Sequence, residues 1–218
     1  MKSQITREQW VKYIFTINTK FNNLEYNSDH FKEQQIFQSY FGNNEPLANC
    51  INRAYRDFNR TLHGYGSLPN KEETTKKIKF ILKNEFEEMK NRDIDNQEKF
   101  DSWHQNTCLL LIEFYKQNNF KSFHIGQAQK WINMILKYIF SYGNKYLCGY
   151  DNIYQFCHVP LDNILIDELK IYNPPKLKMA WSRIDNYKVY SEYQDWFRQK
   201  FINLPLDVEF KLWLGEGL

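Results

Sequence analysis

Two short stretches carry the residues best suited to chemistry, Gly126-Gln127-Ala128-Gln129-Lys130 and Pro160-Leu161-Asp162. Lys130 opens an apolar run through Trp131, Ile132, Met134, Ile135, Leu136, Tyr138 and Ile139 to Phe140, which reads as a helix. A lysine amine at the core-facing start of a helix is costly to bury unless it is paired or has work to do. Asp162 follows 32 residues later, behind a proline and at the expected start of another helix. An amine shielded from water, with a carboxylate beside it, is the minimal equipment for amine nucleophilic catalysis.

Helices carry these groups on the pattern of the surrounding residues. Lys130, Asn133, Met134 and Lys137 share one stripe, because offsets of three, four and seven fall on one helix face. On periodicity alone that stripe is the solvated side of an amphipathic helix. The glycine ahead of it points elsewhere. A short helix, a turn at Gly126 and a second helix would form a hairpin. The free N–H groups at the start of its second helix suit a phosphate. Pro160 fits the first turn of a helix running to about Lys170.

Other helices are expected on the faces of Trp10, Ile14, Ile17 and Phe21, and from Ser28-Asp29 through Phe31, Ile36, Phe37 and Tyr40. Glu45-Pro46 opens another through Ile51, Tyr55 and Phe58, closed by His63-Gly64-Tyr65-Gly66-Ser67. Lys71 to Asn91 and Asp95 to Asn118 are two long helices, followed by a linker from Asn119 to Ile125. Tyr142-Gly143-Asn144 and Asn173-Pro174-Pro175 are breaks. Tyr187 to Phe201 and Pro205 to Gly215 complete the set. Almost nothing alternates with period two, so the fold is read as all-α.

Composition narrows the class. The 218 residues are 42% hydrophobic and 17% aromatic, enough for a sizeable core. The net charge of +3 permits nucleic-acid binding without arguing for it. Only 8 glycines and 6 prolines speak against disorder or a turn-rich β fold. No apolar run is long enough to span a membrane, and the start, Met1-Lys2-Ser3-Gln4, does not resemble a signal peptide. A cytoplasmic protein with reduced thiols is expected. Cys148, Cys157 and His158, or His104 and Cys108, lack the paired spacing of a zinc site, so neither a metal nor a cofactor is expected.

Taken together, Ile125-Gly126-Gln127-Ala128-Gln129-Lys130, Lys137 and Pro160-Leu161-Asp162 resemble the helix-hairpin-helix DNA glycosylases, and more closely the archaeal 8-oxoguanine DNA glycosylase family. That family has a Gln-Lys start to its catalytic helix, a second lysine seven residues on, a long interval, and a Pro-x-Asp helix start. Leu204-Pro205-Leu206-Asp207-Val208-Glu209-Phe210-Lys211-Leu212-Trp213 resembles its Pro-Leu-x-x-Asp-x-x-x-Trp segment. Ala128 stands where many hairpins carry a second glycine, Met134 where an aromatic ring is expected, and Glu209 in place of aspartate. The likeness covers about residues 120 to 215 and leaves the N-terminal half without a residue-by-residue match.

The resemblance implies a two-lobed helical unit spanning 1–218. Residues 1–118 would form an N-terminal helical part, and 119–218 would carry the hairpin, the catalytic pair and the pocket helix. It implies a monomeric DNA glycosylase with AP lyase activity, acting on an oxidised purine such as 8-oxoguanine in damaged duplex DNA. Lys130 would attack the sugar and Asp162 would assist. Lys137, Met134, Glu209 and Trp213 would line the base pocket, and Gly126, Gln127 and Ala128 would meet the DNA backbone. Two rivals remain: a non-catalytic nucleic-acid-binding or host-defence protein on the same scaffold, and a purely structural helical module. The module predicts Lys130 and Lys137 fully exposed. Asp162 as an ordinary helix cap and Trp213 as ordinary core are the bland alternatives for those residues.

Overall fold

In the computed structural model, the residues described are 38, 40–144 and 146–213. The helix expected around Trp10, the Ser28 to Phe37 part of the helix expected through Tyr40, and the stop at Gly215 lie outside them; Gln38, Tyr40 and Phe41 are helical. Among the described residues the chain is all-α, with no strand. The helices are α1 (Pro46–Phe58), α2 (Lys71–Met89), α3 (Gln97–Gln117), α4 (Ile125–Tyr142), α5 (Asn163–Leu169), α6 (Tyr187–Lys200) and α7 (Pro205–Trp213). No described helix is long and apolar enough to cross a membrane.

Local signals set most boundaries. Glu45 caps α1 by accepting the N–H groups of Leu47 and Ala48, with Pro46 in the first turn, where its missing N–H is no loss. Gly64, at φ 84°, takes the left-handed turn between α1 and α2. Asn96 caps α3 and Asn186 caps α6. Gly143, at φ 73°, ends α4.

The centre of the molecule is α4, and every residue from Ile125 to Ile139 is buried. Trp131 packs against the mutually touching rings of Tyr55 and Phe58 of α1 and donates its indole N–H to the Ile51 carbonyl at 3.1 Å. Asn133 bonds sideways to His104 of α3 and Tyr190 of α6. The helix is therefore wrapped on all sides, and one hydrophobic cluster runs from Tyr40 to Phe210.

Three expectations are corrected by this arrangement. The stripe of Lys130, Asn133, Met134 and Lys137 is no solvated face: all four are buried, Lys137 completely. Periodicity reports amphipathicity, but a helix packed on both sides buries its polar stripe as well. The structural-module reading, which required both lysines exposed, fails on the same fact.

The second correction concerns Gly126. The helix begins at Ile125, so Gly126 sits in its first turn and Lys130 in its second. A Cβ on Gly126 would stand 1.8 Å from the Trp181 carbonyl oxygen. The glycine is thus required by a close backbone crossing and does not form the turn of a hairpin. Third, α5 starts after Asp162, and Pro160 lies in a preceding irregular segment.

Candidate active site

The pair singled out from the sequence meets. Lys130 Nζ lies 2.5 Å from Asp162 Oδ2, with the lysine side chain 6% and the aspartate 23% exposed. Asp162 uses its other oxygen to accept the Leu165 N–H at 2.9 Å, capping α5. The cap role and the lysine partnership are therefore held together, one on each oxygen. Burial acts to raise the Asp162 pKa, but the Lys130 charge and hydrogen bond, the Leu165 amide and the Lys137 charge outweigh it and hold the carboxyl below its usual value.

What brings Asp162 to Lys130 is Gln129. Its side-chain oxygen accepts the Leu161 N–H at 3.1 Å and its amide donates to the Leu161 carbonyl at 2.9 Å. Gln194 of α6 does the same to Val159, at 3.0 and 2.9 Å. These two glutamines stand in for a neighbouring strand. They satisfy a buried stretch of backbone in a protein whose described residues contain no sheet.

One side of α4 further along, Lys137 Nζ lies 2.6 Å from Glu209 on α7, with the lysine inaccessible and the glutamate 7% exposed. Burial lowers the Lys137 pKa to about 8 against the raising effect of Glu209, and the Lys130 charge lowers it further. Met134 is buried on the same face. The Trp213 side chain lies outside the described residues. The site so far comprises Lys130, Met134 and Lys137 of α4, Asp162 and Glu209.

A further member was not legible in the sequence. Asp57, near the end of α1, accepts the Tyr138 hydroxyl at 2.6 Å, and the charges of Lys130 and Lys137 both act on it. Burial raises its pKa in spite of those neighbours. Its only sequence signal is the i,i+4 pairing with Arg53, which normally marks a solvated face. The N-terminal half thus supplies a third carboxylate to the lysine pair.

The first turn of α4 offers no free phosphate cradle. The Gly126 N–H donates to the Ile184 carbonyl at 2.9 Å, and those of Gln127 and Ala128 to the His124 carbonyl. All three residues are buried. Gln127 instead accepts the His124 N–H and donates to Thr61, which ties the helix start to the end of α1.

Behind Lys130 runs a polar chain with a single direction. The neutral, buried His104 donates from Nε2 to Asn133 Oδ1 and accepts the Tyr187 hydroxyl on Nδ1. Asn133 donates to the Tyr190 hydroxyl, Tyr190 to His158 Nδ1, and His158 Nε2 to Asp101 at 2.8 Å. These tautomers follow from Asn133 Oδ1 and the Asp101 carboxylate being acceptors only. Asp101 and Tyr187 reach a cleft of about 750 Å³ whose rim also holds Asp185 and Asp195.

The free cysteines Cys50, Cys108 and Cys157 are buried and Cys148 is exposed. Among the described residues no three His, Cys, Asp or Glu side chains group to hold a metal. Comparison with family models, characterised proteins and solved structures finds no match to this chain.

Proposed function

We propose that the protein is a DNA N-glycosylase with AP lyase activity, which removes an oxidised purine such as 8-oxoguanine from duplex DNA in base-excision repair. The observation that carries this reading is the Lys130–Asp162 pair: an amine almost sealed in the core, 2.5 Å from a carboxylate that still reaches solvent. A structural ion pair can be sealed on both sides. A nucleophile needs a way to its substrate, and Asp162 is the less buried partner of the pair.

The chemistry balances with these two groups. The damaged nucleotide is turned out of the duplex. Asp162 takes a proton from the Lys130 ammonium, and the neutral amine attacks the sugar C1′. The bond from C1′ to the base breaks, and the base leaves with its electron pair and takes the proton now held on Asp162. Asp162 then relays a proton from the new secondary ammonium to the ring oxygen, and the sugar opens to a Schiff base between C1′ and the lysine nitrogen. Loss of a C2′ proton to the Asp162 carboxylate expels the 3′ phosphate. Glu209 and Lys137 would face the base edge with Met134, and Trp213 would stack on it. The two-lobed glycosylase arrangement belongs to this same proposal.

The test is borohydride trapping on a labelled duplex containing 8-oxoguanine, with Lys130→Gln alongside. Hydride reduces the Schiff base to a stable secondary amine, so a covalent adduct lost in the variant supports the proposal. Absence of both adduct and released base across a panel of oxidised purines sinks it. The rival, a non-catalytic nucleic-acid-binding or host-defence protein, is favoured by one observation. Each buried lysine is already matched by a carboxylate. That reading predicts salt-sensitive binding without turnover.

A further inference from the structure

Residues 170–183 form a strap between α5 and α6, irregular apart from a short 3-10 turn at each end. One end continues from α5, whose cap is Asp162. The other crosses α4 at Gly126, one turn before Lys130, where the Trp181 carbonyl touches the helix backbone. The Gly126 N–H bond to Ile184 at 2.9 Å fixes that crossing. The strap thus links α5, which Asp162 caps, to the start of α4, which carries Lys130.

Its composition is one-sided. It carries Lys170, Lys176, Lys178 and Arg183 and no aspartate or glutamate. All four cations are exposed. Lys170 meets Asp167 at 2.7 Å, in a pair so exposed that water screens it. Among the described residues no carboxylate pairs with Lys176, Lys178 or Arg183. The strap also leaves Ile171 79% exposed and Met179 39% exposed. A groove of about 510 Å³ separates it from α5, lined by Asn163, Ile166, Leu177 and Trp181 among others. The separate cleft holding Asp101, Asp185 and Asp195 has the opposite sign. With a net charge of only +3, the cations matter by being gathered in one place.

We infer that this strap grips the phosphate backbone of duplex DNA and so presents a nucleotide to Lys130. Naming DNA as the polyanion rests on the glycosylase reading; the placement of the surface rests on charge and geometry. Lys176, Lys178 and Arg183 meet phosphates, and Ile171 lies against sugars or base edges. Such contacts fix register on the duplex without reading its sequence. An anionic membrane is the poorer fit. Surface helices that bind lipid present a continuous apolar face. Here the backbone is largely irregular and pinned, and the two large exposed apolar residues, Ile171 and Met179, lie eight positions apart.

The test measures binding of a short labelled duplex, intact or carrying a tetrahydrofuran abasic analogue, between about 50 and 200 mM salt. Lys176→Glu/Lys178→Glu weakens binding to both duplexes alike and makes the slope of log K against log salt shallower by about 2. Lys77→Glu/Lys116→Glu, the same charge change on α2 and α3, leaves that slope alone. Ile171→Ser weakens binding with the slope preserved. All these side chains are exposed, and circular dichroism verifies the fold of each variant. Wild-type slope in the strap variant overturns the inference, as does an equal loss in both double variants. Binding of phosphatidylserine vesicles in place of duplex also overturns it. Borohydride trapping on the same preparations separates the two proposals. Loss of DNA binding in the strap variant, with no adduct from the wild type, leaves the surface standing and removes the chemistry. An adduct with an unchanged slope does the reverse.

Discussion

The carboxamide of Gln129 pairs at two points with the backbone of Leu161, accepting its N–H at 3.1 Å and donating to its carbonyl at 2.9 Å. Gln129 precedes Lys130 and Leu161 precedes Asp162. This pairing sets the distance between amine and carboxylate before either side chain chooses a rotamer. Gln129 Nε2 also donates to the Gly126 carbonyl, so the clamp is rooted in its own helix.

Gln129→Met should therefore damage the site more than the fold. It orphans the buried Leu161 N–H and carbonyl, at about 1–3 kcal/mol for each group left unpaired. Gln129→Glu should not rescue, since a carboxylate cannot donate to the Leu161 carbonyl. Urea unfolding gives the stability loss. Trapping at a temperature where the variant is folded gives the positioning loss, and an adduct yield matching wild type would contradict the clamp.

Asp162 permits a separation of roles. Asp162→Asn keeps a side-chain oxygen for the Leu165 N–H and retains most of the cap. Asp162→Ala loses it, at about 1 kcal/mol. On the proposed mechanism both remove the base that accepts the Lys130 proton, so both should abolish the adduct while differing in melting temperature. An active Asp162→Asn would reduce Asp162 to a cap.

Gly126→Ala should destabilise despite the better helix propensity of alanine. The added Cβ meets backbone atoms of Trp181 at 1.8 and 2.8 Å, and these cannot swing aside as a side-chain tip would. Propensity returns about 1 kcal/mol, while forcing atoms into a filled site costs about 1–3 kcal/mol or more. Differential scanning calorimetry should show a lower melting temperature, and DNA affinity should fall with it, because the strap is what moves.

Lys137 gives an alkaline signature. Its folded pKa of about 8 lies below the value near 10.4 of an unfolded lysine. Between those values the unfolded chain holds the proton and the folded chain does not, so stability rises with pH across that window. The contribution is on the order of 2 kcal/mol between pH 8 and about 9.5. Urea unfolding of Lys137→Met should lack that rise relative to wild type. Identical pH profiles would refute the assignment.

His104 and His158 act at the acid end. Burial lowers both pKa values, His104 well below its usual value, with the charge of each neighbourhood adding to or opposing the effect. Below about pH 6.5 the unfolded chain takes protons that the folded chain refuses. Stability is therefore complete above that pH and falls as pH drops, by up to about 1.4 kcal/mol per pH unit for each histidine. Thermal unfolding at pH 7 and pH 5 should show a smaller drop for His104→Gln than for wild type.

Much of the fold was written locally. Glu45-Pro46, Gly64, Gly143 and Asn173-Pro174-Pro175 mark boundaries because caps and positive-φ turns involve only neighbouring residues. Lys130 and Asp162 were legible because their residue types are chemically unusual where they stand. Their contact across 32 residues was an expectation that Gln129 had to realise. Gln194 carries no local signal, Gln129 stands out only within the Gln-Lys resemblance, and Asp57 only as an i,i+4 partner of Arg53, since a glutamine or aspartate has the same sequence appearance in water as in a core.

Sequence alone determined that the described residues are helical and where a lysine and its carboxylate partner stand. Tertiary structure decided the rest. It closed other elements over both faces of α4, turning a stripe that reads as solvated into a buried site. It crossed Trp181 over Gly126, turning an expected phosphate cradle into a packing joint. Helix periodicity is a property of one segment, whereas burial depends on which other segments arrive, and only long-range packing fixes that.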